Sequence, residues 1–290
     1  MQQKTKQRIV ISGASGFIGK ALANHFVDKG FEVIGLVRNP EKMEENGVLY
    51  VKYSFEQQDI PNVFQESDVF IHCAYSTIPN QQSVNKSVFS AQALLKMAKQ
   101  NGVKLCVFLS SIASESNSGS FYAQEKRKIE ALFQSKQDII VRPGLVIGHG
   151  GLFYKSYIFI KNWGVLPVFR EGKQTVHYIS LNDIVSVIHF LVEQEEAGTF
   201  YALNDNSMNH VDFYTQVGYH MKRKIRIIKI PYWFVMMVLH TVGKIIKLPV
   251  SIDSIKGLKH IPELDKSILK KSCYTFDIKN LPDILNDFQG

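Results

Sequence analysis

Cysteine is scarce. Cys73, Cys106 and Cys273 are the only three in 290 residues, their number is odd, and no CxxC spacing occurs. That pattern excludes a disulfide framework and leaves nothing that reads as a zinc site, so no metal is expected. Cys73 and Cys106 sit inside apolar runs and read as buried, reduced thiols. No repeat or low-complexity tract is present. The polar, basic Met1 to Arg8 is followed by an apolar run that stops at Gly13, too short for the hydrophobic region of a signal peptide; a cytoplasmic location is the expectation. No uninterrupted apolar stretch reaches the roughly 20 residues of a spanning helix. Pro231 to Leu248 comes nearest, but His240, Lys244 and Lys247 interrupt it, which favours a packed helix over an interfacial membrane helix. Acidic residues are sparse towards the carboxyl end. Residues 221–290 hold 13 Lys and Arg against 6 Asp and Glu, so this stretch contributes +7 of the net +8. Such a basic region suits a diphosphate-bearing substrate, an anionic membrane surface, nucleic acid, or simply a solvated face. No reader motif accompanies the charges, so nucleic acid is not an expected partner.

What remains is an ordinary globular composition, 45% hydrophobic and 21% charged with a mean hydropathy of -0.06, in a chain long enough for a full core. Short apolar runs rich in β-branched and aromatic residues recur at Arg8 to Ser12, Phe31 to Val37, Val48 to Tyr53, Val69 to Ala74, Lys104 to Ser110 and Ile139 to Val141. Between them, apolar residues at helical spacing mark Phe17 to Lys29, Val84 to Asn101 and Tyr122 to Phe133. Alternating strands and helices predict an α/β fold with a Rossmann-like, doubly wound parallel sheet. After Arg142-Pro143-Gly144 the alternation weakens into aromatic loops, a glycine-rich turn at Gly148 to Gly151 and a helix over Asn182 to Gln194. The expected organisation is a dinucleotide-binding domain over 1–150, with 174–197 returning to it, and a smaller substrate lobe from 151–173 and 198–290.

Gly13-Ala14-Ser15-Gly16-Phe17-Ile18-Gly19 joins the first strand to the first helix. Gly13 and Gly16 permit a tight turn and close approach to a pyrophosphate, Gly19 lets helix pack on strand, and the helix amino terminus offers free N–H groups. Ser15, Phe17 and Ile18 complete this candidate phosphate loop. The second strand ends at Val37-Arg38, where an NAD site usually carries an acid for the ribose 2′-hydroxyl. The Arg38 guanidinium instead favours a 2′-phosphate, so NADP(H) is expected over NAD(H).

Tyr122 and Lys126 lie four residues apart, on one face of a helix, and can reach one bound molecule. A phenol with a pKa of about 10 becomes a useful acid–base when a neighbouring ammonium and a nicotinamide cation stabilise the phenolate. Ser110-Ser111 stands at the carboxyl edge of the fifth strand, where ligands bind in open α/β sheets.

These motifs, in this order, resemble the extended short-chain dehydrogenase/reductases, the NAD(P)-dependent epimerase/dehydratase group, over most of residues 7–205. Asp68 to Ala74 is similar to the family's fourth strand, where the chain passes the cofactor. Val84-Asn85 is similar to its Asn-bearing helix start, Val141 to Gly148 to the sixth-strand signature beside the nicotinamide, and His177 to Val185 to the segment that re-enters the cofactor domain. The resemblance implies Ser111 as the residue orienting the substrate oxygen, Tyr122 as general acid–base, and Lys126 as the holder of the cofactor ribose. It adds Ala74, Pro143 and Val146 to the cofactor site. The substrate candidates are Tyr75, Asn85, Ser111 and Arg223. Ser111 is preferred to Ser110 by its distance from Phe108. Two features depart from the pattern: only ten residues separate Ser111 from Tyr122, and Ser54 stands where the family often has an Asp near the adenine.

Ile112-Ala113 follow Ser111, in place of the acidic pair of family dehydratases, which argues against dehydration. The expected activity is reduction of a carbonyl, the keto group of a nucleotide-diphosphate sugar, with Lys222, Arg223, Lys224 and Arg226 as candidate diphosphate ligands on a strand with one wet face. Lys173 and His177 are plausible near a sugar, and Asp183 reads as a helix cap. Three alternatives stay open: a nucleotide-sugar 4-epimerase with retained NAD(H), a non-catalytic dinucleotide-binding protein, and a membrane-surface enzyme acting on a lipid-linked or steroid-like ketone. A homodimer through Val84 to Asn101 and Tyr122 to Phe133 is implied by the resemblance alone.

Overall fold

The computed structural model describes residues 7–44, 46–56, 62–116, 118–134, 136–168, 172–204, 206–231, 233, 253, 256–257 and 278–289. Seven strands form its central sheet: β1 (Arg8–Ser12), β2 (Glu32–Val37), β3 (Val48–Lys52), β4 (Val69–His72), β5 (Leu105–Leu109), β6 (Asp138–Pro143) and β11 (Gly198–Ala202). Their spatial order is β11-β6-β5-β4-β1-β2-β3, and every pairing is parallel. The order runs outward in both directions from β1 and β4, so the sheet is doubly wound, and in such sheets ligands bind beyond the carboxyl ends of the strands where the windings diverge. β4 and β5 are buried along their whole length, as expected of strands covered on both faces.

Two apolar layers sandwich the sheet. On one side α1 (Phe17–Asp28) and α5 (Leu181–Gln194) place Leu22, Phe26, Ile184, Ile188 and Leu191 against alternate strand residues such as Ile9, Ile11 and Val107. On the other, α2 (Gln81–Gln100) and α3 (Phe121–Glu130) set Ala91, Leu94, Ala98 and Ile129 against Val10, Phe70 and Phe108. The expected strands and helices over the first half are thus present to within three residues at most ends. Each strand's side chains alternate between two apolar layers, which is why the runs read as unbroken.

The second half departs from expectation in three places. Gly198–Ala202, expected in the substrate lobe, is the edge strand β11 of the central sheet, paired with β6 through Phe200 and Ala202 on the core side. The aromatic stretch after Gly150 is no loop but the helix α4 (Gly151–Trp163). Phe153, Tyr157 and Ile160 fall at helical spacing and are buried, and left-handed Gly164 ends it. The strand expected near Arg226 exists as β13 (Arg226–Lys229), paired in parallel with β8 (Val165–Val168), but all four of its residues are exposed rather than one face.

A third cluster unites α4, β8 and α6 (His210–His220) with the carboxyl-terminal helix α7 (Leu281–Gln289), through Phe153, Leu166, Phe213, Leu285 and Phe288. Two short two-stranded sheets, β7 (Leu145–Ile147) with β10 (Tyr178–Ser180) and β9 (Thr175–Val176) with β12 (Met208–Asn209), connect this cluster to the main sheet. Most of Pro231 to Leu248, and Cys273, lie outside the described residues.

Candidate active site

The phosphate loop owes its shape to contacts that only glycine allows. Gly13 has φ +74, and a Cβ there would stand 2.8 Å from the backbone of Ala74, so the loop is pressed against the end of β4. A Cβ on Gly19 would drive into the Gly13 carbonyl, which fixes how closely α1 crosses the turn. Ser15 and Gly16 are exposed above this cradle. No side chain caps α1 and no acid stands in its first turn. By contrast α2, α3, α5 and α6 are capped by Asn80, Ser120, Ser180 and Asn209. The N–H groups at α1 therefore stay available to an anion, and the loop fits a dinucleotide pyrophosphate. The Phe17 ring fills the space between this loop and the Gly148–Gly151 turn, where a Cβ on Gly148 would lie 2.7 Å from it. Arg38 follows β2 at the same sheet edge, exposed and without an ion pair among the described residues. Pro143 is buried at the end of β6, and half-buried Val146 packs against the core from β7.

Beyond β5 the chain turns at Ser111, whose hydroxyl accepts from the Ala113 amide at 3.2 Å and stands near enough to the Tyr122 phenol to lower its pKa. Ser110, by contrast, is buried and donates to Glu130. On α3, Tyr122 and Lys126 share a face as their spacing predicted. Lys126 Nζ donates to the Leu109 carbonyl at 2.7 Å and lies 5.7 Å from the Tyr122 ring centre, 5.6 Å from that of Tyr75 and 4.8 Å from that of Phe108. Tyr75 meets Tyr122 edge to face at 5.7 Å. Ser111, Tyr122, Lys126 and Tyr75 thus converge at the carboxyl edge of the sheet.

The electrostatics differ from the simple expectation in one respect. Burial pushes the Tyr122 phenol up; the nearby Ser111 hydroxyl lowers it, and the Tyr75 and Glu125 charges raise it further. The lowering expected from the Lys126 ammonium is not among these influences. The ammonium itself is pushed down to about 8, chiefly by burial. Both groups are thus displaced towards their neutral forms, the usual response of ionisable side chains removed from water.

Three supporting contacts had no clear signal in the sequence. Glu125, buried beside Lys126, accepts from the Ser76 amide at 2.9 Å and from the Ser87 hydroxyl at 2.5 Å, which ties the Tyr75 loop and α2 to α3. Burial raises its pKa. Arg142 clasps Glu130 through two bonds, 3.0 Å from Nε and 2.7 Å from Nη2, and reaches Glu115 at 2.6 Å; Tyr201 also bonds Glu115. This cluster fixes the turn that begins at Ser111. Asp253, 131 positions beyond Tyr122, accepts from the amides of Phe121 at 2.6 Å and Tyr122 at 3.2 Å and from the Ser120 hydroxyl at 3.0 Å. Its carboxylate completes the cap of α3. Only the acid at the second-last position of the Tyr122–Lys126 motif, on the inward face of the helix, hinted at Glu125; nothing local marks Asp253.

Other candidates lie apart. Asn85 is exposed on α2 and accepts from Gln81 at 2.9 Å. Arg223 is exposed and donates to the Asn162 carbonyl at 3.1 Å, so it serves the carboxyl end of α4, where a cation complements the helix dipole. His177 is buried, with its pKa lowered by that burial. Asp183 is the acid of the first turn of α5, whose cap is Ser180 rather than Asp183 itself. Fully buried His72 bonds Ser12 at 2.7 Å and is pushed down to about 3, mainly by burial, which keeps the ring neutral.

Residues 13–142 match a protein-family model described as NAD(P)H-binding. No curated protein matches the chain in sequence. Among solved structures, the human epimerase family protein SDR39U1 (isoform 2), determined with NADPH, is 17% identical, with a TM-score of 0.75 over 97% of this chain and 99% of that one. The protein gox2253 is 16% identical, with a TM-score of 0.75 over 98% of this chain and 97% of its own. The UDP-N-acetylglucosamine 4-epimerase of Methanobrevibacter ruminantium M1, in complex with UDP-N-acetylmuramic acid, is 17% identical, with a TM-score of 0.67 over 77% of this chain and 84% of that one.

Proposed function

We propose that this chain, an extended short-chain dehydrogenase/reductase by fold with an NAD(P)H-binding domain over residues 13–142, is an NADP-dependent carbonyl reductase whose substrate is the keto group of a nucleotide-diphosphate sugar. The observation that carries this reading is the convergence of Ser111, Tyr122 and Lys126 at the carboxyl edge of the sheet. When bound, the dinucleotide supplies the two-electron reduction. Ser111 and Tyr122 hydrogen-bond the carbonyl oxygen, polarising it, and Tyr122 delivers its phenolic proton to that oxygen as negative charge develops there. A phenol held protonated by burial suits a proton donor. Lys126, anchored on the Leu109 carbonyl, holds the ribose hydroxyls. Gly13, Ser15, Gly16 and the amino terminus of α1 hold the pyrophosphate; Arg38, lacking an ion pair among the described residues, holds the 2′-phosphate. Tyr75, beside Tyr122 and 48% exposed, lines the substrate side.

The domain assignment follows: residues 7–147 and 178–202 carry the dinucleotide site, and the cluster built on α4, α6 and α7 carries substrate specificity. Titration of wild type and Arg38→Ala with NADPH and NADH tests the cofactor assignment. NADPH should bind more tightly to wild type, and the preference should disappear in the variant. Equal affinities in wild type would remove the NADP assignment. The likeness to a 4-epimerase favours a second reading, epimerisation with retained NAD(H); a protein that purifies carrying dinucleotide, seen by its absorbance, would put that reading first.

A further inference from the structure

The carboxyl-terminal half carries a charge pattern that the proposed chemistry does not use. Between Phe213 and Ile252 there is no Asp or Glu, although the chain has 26, while Lys222, Arg223, Lys224, Arg226, Lys229, Lys244 and Lys247 all fall there. The described part of this stretch forms one corner of the molecule. Here α6 ends, the chain turns at left-handed Lys222, and β13 lies against β8. Arg223 donates to the Asn162 carbonyl at 3.1 Å and the Arg226 amide to the Gly164 carbonyl at 2.9 Å, so the end of α4 belongs to the same corner.

On this corner large apolar side chains stand in water. Trp163 is 70% exposed, Tyr219 88%, and Ile227 and Ile228 42% and 45%. Cations stand beside them: Lys222, Lys224, Arg226 and Lys229 are exposed and make no ion pair among the described residues. A surface that serves only as a solvated face would have interspersed acids and polar residues, and a protein-protein patch with an apolar centre would be depleted of lysine. Aromatic and aliphatic side chains flanked by exposed Lys and Arg match the headgroup layer of a bilayer. Rings and isoleucines enter the acyl boundary there while ammonium and guanidinium groups meet lipid phosphates.

We infer that the β8–β13 corner is a docking surface for an anionic membrane, and that the protein works as a peripheral enzyme held by this corner. No helix among the described residues is long and apolar enough to cross a membrane. Nucleic acid would draw on the same cations but has no use for Ile227 and Ile228 standing beside them. This inference is independent of the proposed reaction, since none of its residues belongs to the Ser111, Tyr122 and Lys126 site.

The test is co-sedimentation of the full chain with vesicles of phosphatidylcholine alone and of phosphatidylcholine with about a third phosphatidylglycerol. Two variants accompany wild type: Lys224→Glu/Arg226→Glu/Lys229→Glu, and Trp163→Ser/Ile228→Ser. Circular dichroism melting and NADPH titration verify that each is folded. Wild type should partition at least about tenfold more strongly onto the anionic vesicles, and salt should weaken it. The charge-reversed variant should lose about 100-fold or more, and the apolar variant roughly fivefold to tenfold, with the salt dependence kept. Equal partitioning onto both vesicles, or unchanged partitioning of a folded charge-reversed variant, would overturn the inference. So would tight binding of single-stranded RNA without vesicle binding, or a loss of self-association as the sole effect of the apolar variant.

Discussion

β5 and β13 are both short and both rich in aliphatic residues, yet all five residues of β5 are buried and all four of β13 are exposed. Their sequences explain this only in part: Leu-Cys-Val-Phe-Leu and Arg-Ile-Ile-Lys both read as strand, the second with one wet face rather than two. The difference lies in what surrounds them. β5 runs between β4 and β6 with a helical layer on either face, whereas β13 pairs, among the described residues, with β8 alone. Their charges differ in the same way. Around the central sheet, buried Glu130 is matched by Arg142 and buried Asp138 by Lys99, and buried Glu125 and Lys126 are held by hydrogen bonds instead, because a buried charge without a partner carries a large desolvation cost. At the β8–β13 corner the cations are solvated, and pairing is unnecessary for the fold. One region is constrained by packing, the other by what it meets outside the molecule.

Substitutions should magnify that contrast. The largest effect belongs to Tyr122→Phe, which keeps the ring against Tyr75 and removes the proton donor. Carbonyl-dependent NADPH oxidation should fall about 10²- to 10⁴-fold with NADPH affinity unchanged, measured by steady-state kinetics and fluorescence titration. Equal activity would remove Tyr122 from the proposed chemistry. Next comes Glu130→Gln, which leaves Arg142 without its two-bond partner and should cost about 3 kcal/mol in urea unfolding.

The same residue gives a pH signature. Burial alone would raise the Glu130 pKa, but bonds from Arg142 and Ser110 hold it below the ordinary carboxylate range. Its contribution is then complete above the unfolded carboxylate value of about 4.3 and lost as pH falls through the lower folded value. The urea midpoint of wild type should drop over that acid window, and that of Glu130→Gln should drop less.

A smaller effect is expected for Asp253→Asn. One carboxyl oxygen is retained as acceptor while the charge at the start of α3 is lost, so unfolding should ease by about 1 kcal/mol. The smallest is at the other region. Lys224→Gln, exposed and without an ion pair among the described residues, should change stability by no more than about 0.5 kcal/mol in the same assay. If it costs as much as Glu130→Gln, the contrast between the two regions fails.

Much of the first half was legible because each element carries its own signal. The run Arg8 to Ser12 and the glycines behind it predict strand, turn and helix in order, and Tyr122 and Lys126 declare a shared face by their spacing alone. The second half was harder to read for identifiable reasons. In α4 the aromatic residues and Gly150-Gly151 obscured an apolar stripe that becomes plain once Phe153, Tyr157 and Ile160 are seen to face one core. Gly198–Ala202 reads as part of the substrate lobe because it has no feature that names β6 as its partner, and strand pairing is a long-range choice. The bond from Arg223 to the carboxyl end of α4 is equally hidden in the sequence, because Asn162 lies 61 positions away.

By itself, then, the sequence determined the parallel α/β alternation, the glycine cradle and the shared face of Tyr122 and Lys126, since these depend on periodicity, steric freedom and spacing within about ten residues. Only the tertiary structure decided that Ser110 is committed to Glu130, that Lys126 is buried rather than free, and that a carboxylate from position 253 caps the helix bearing Tyr122 and Lys126. The physical reason is the same in each case. Hydrogen bonding and desolvation are set by which groups are packed side by side, and at this site those groups come from segments that are far apart along the chain.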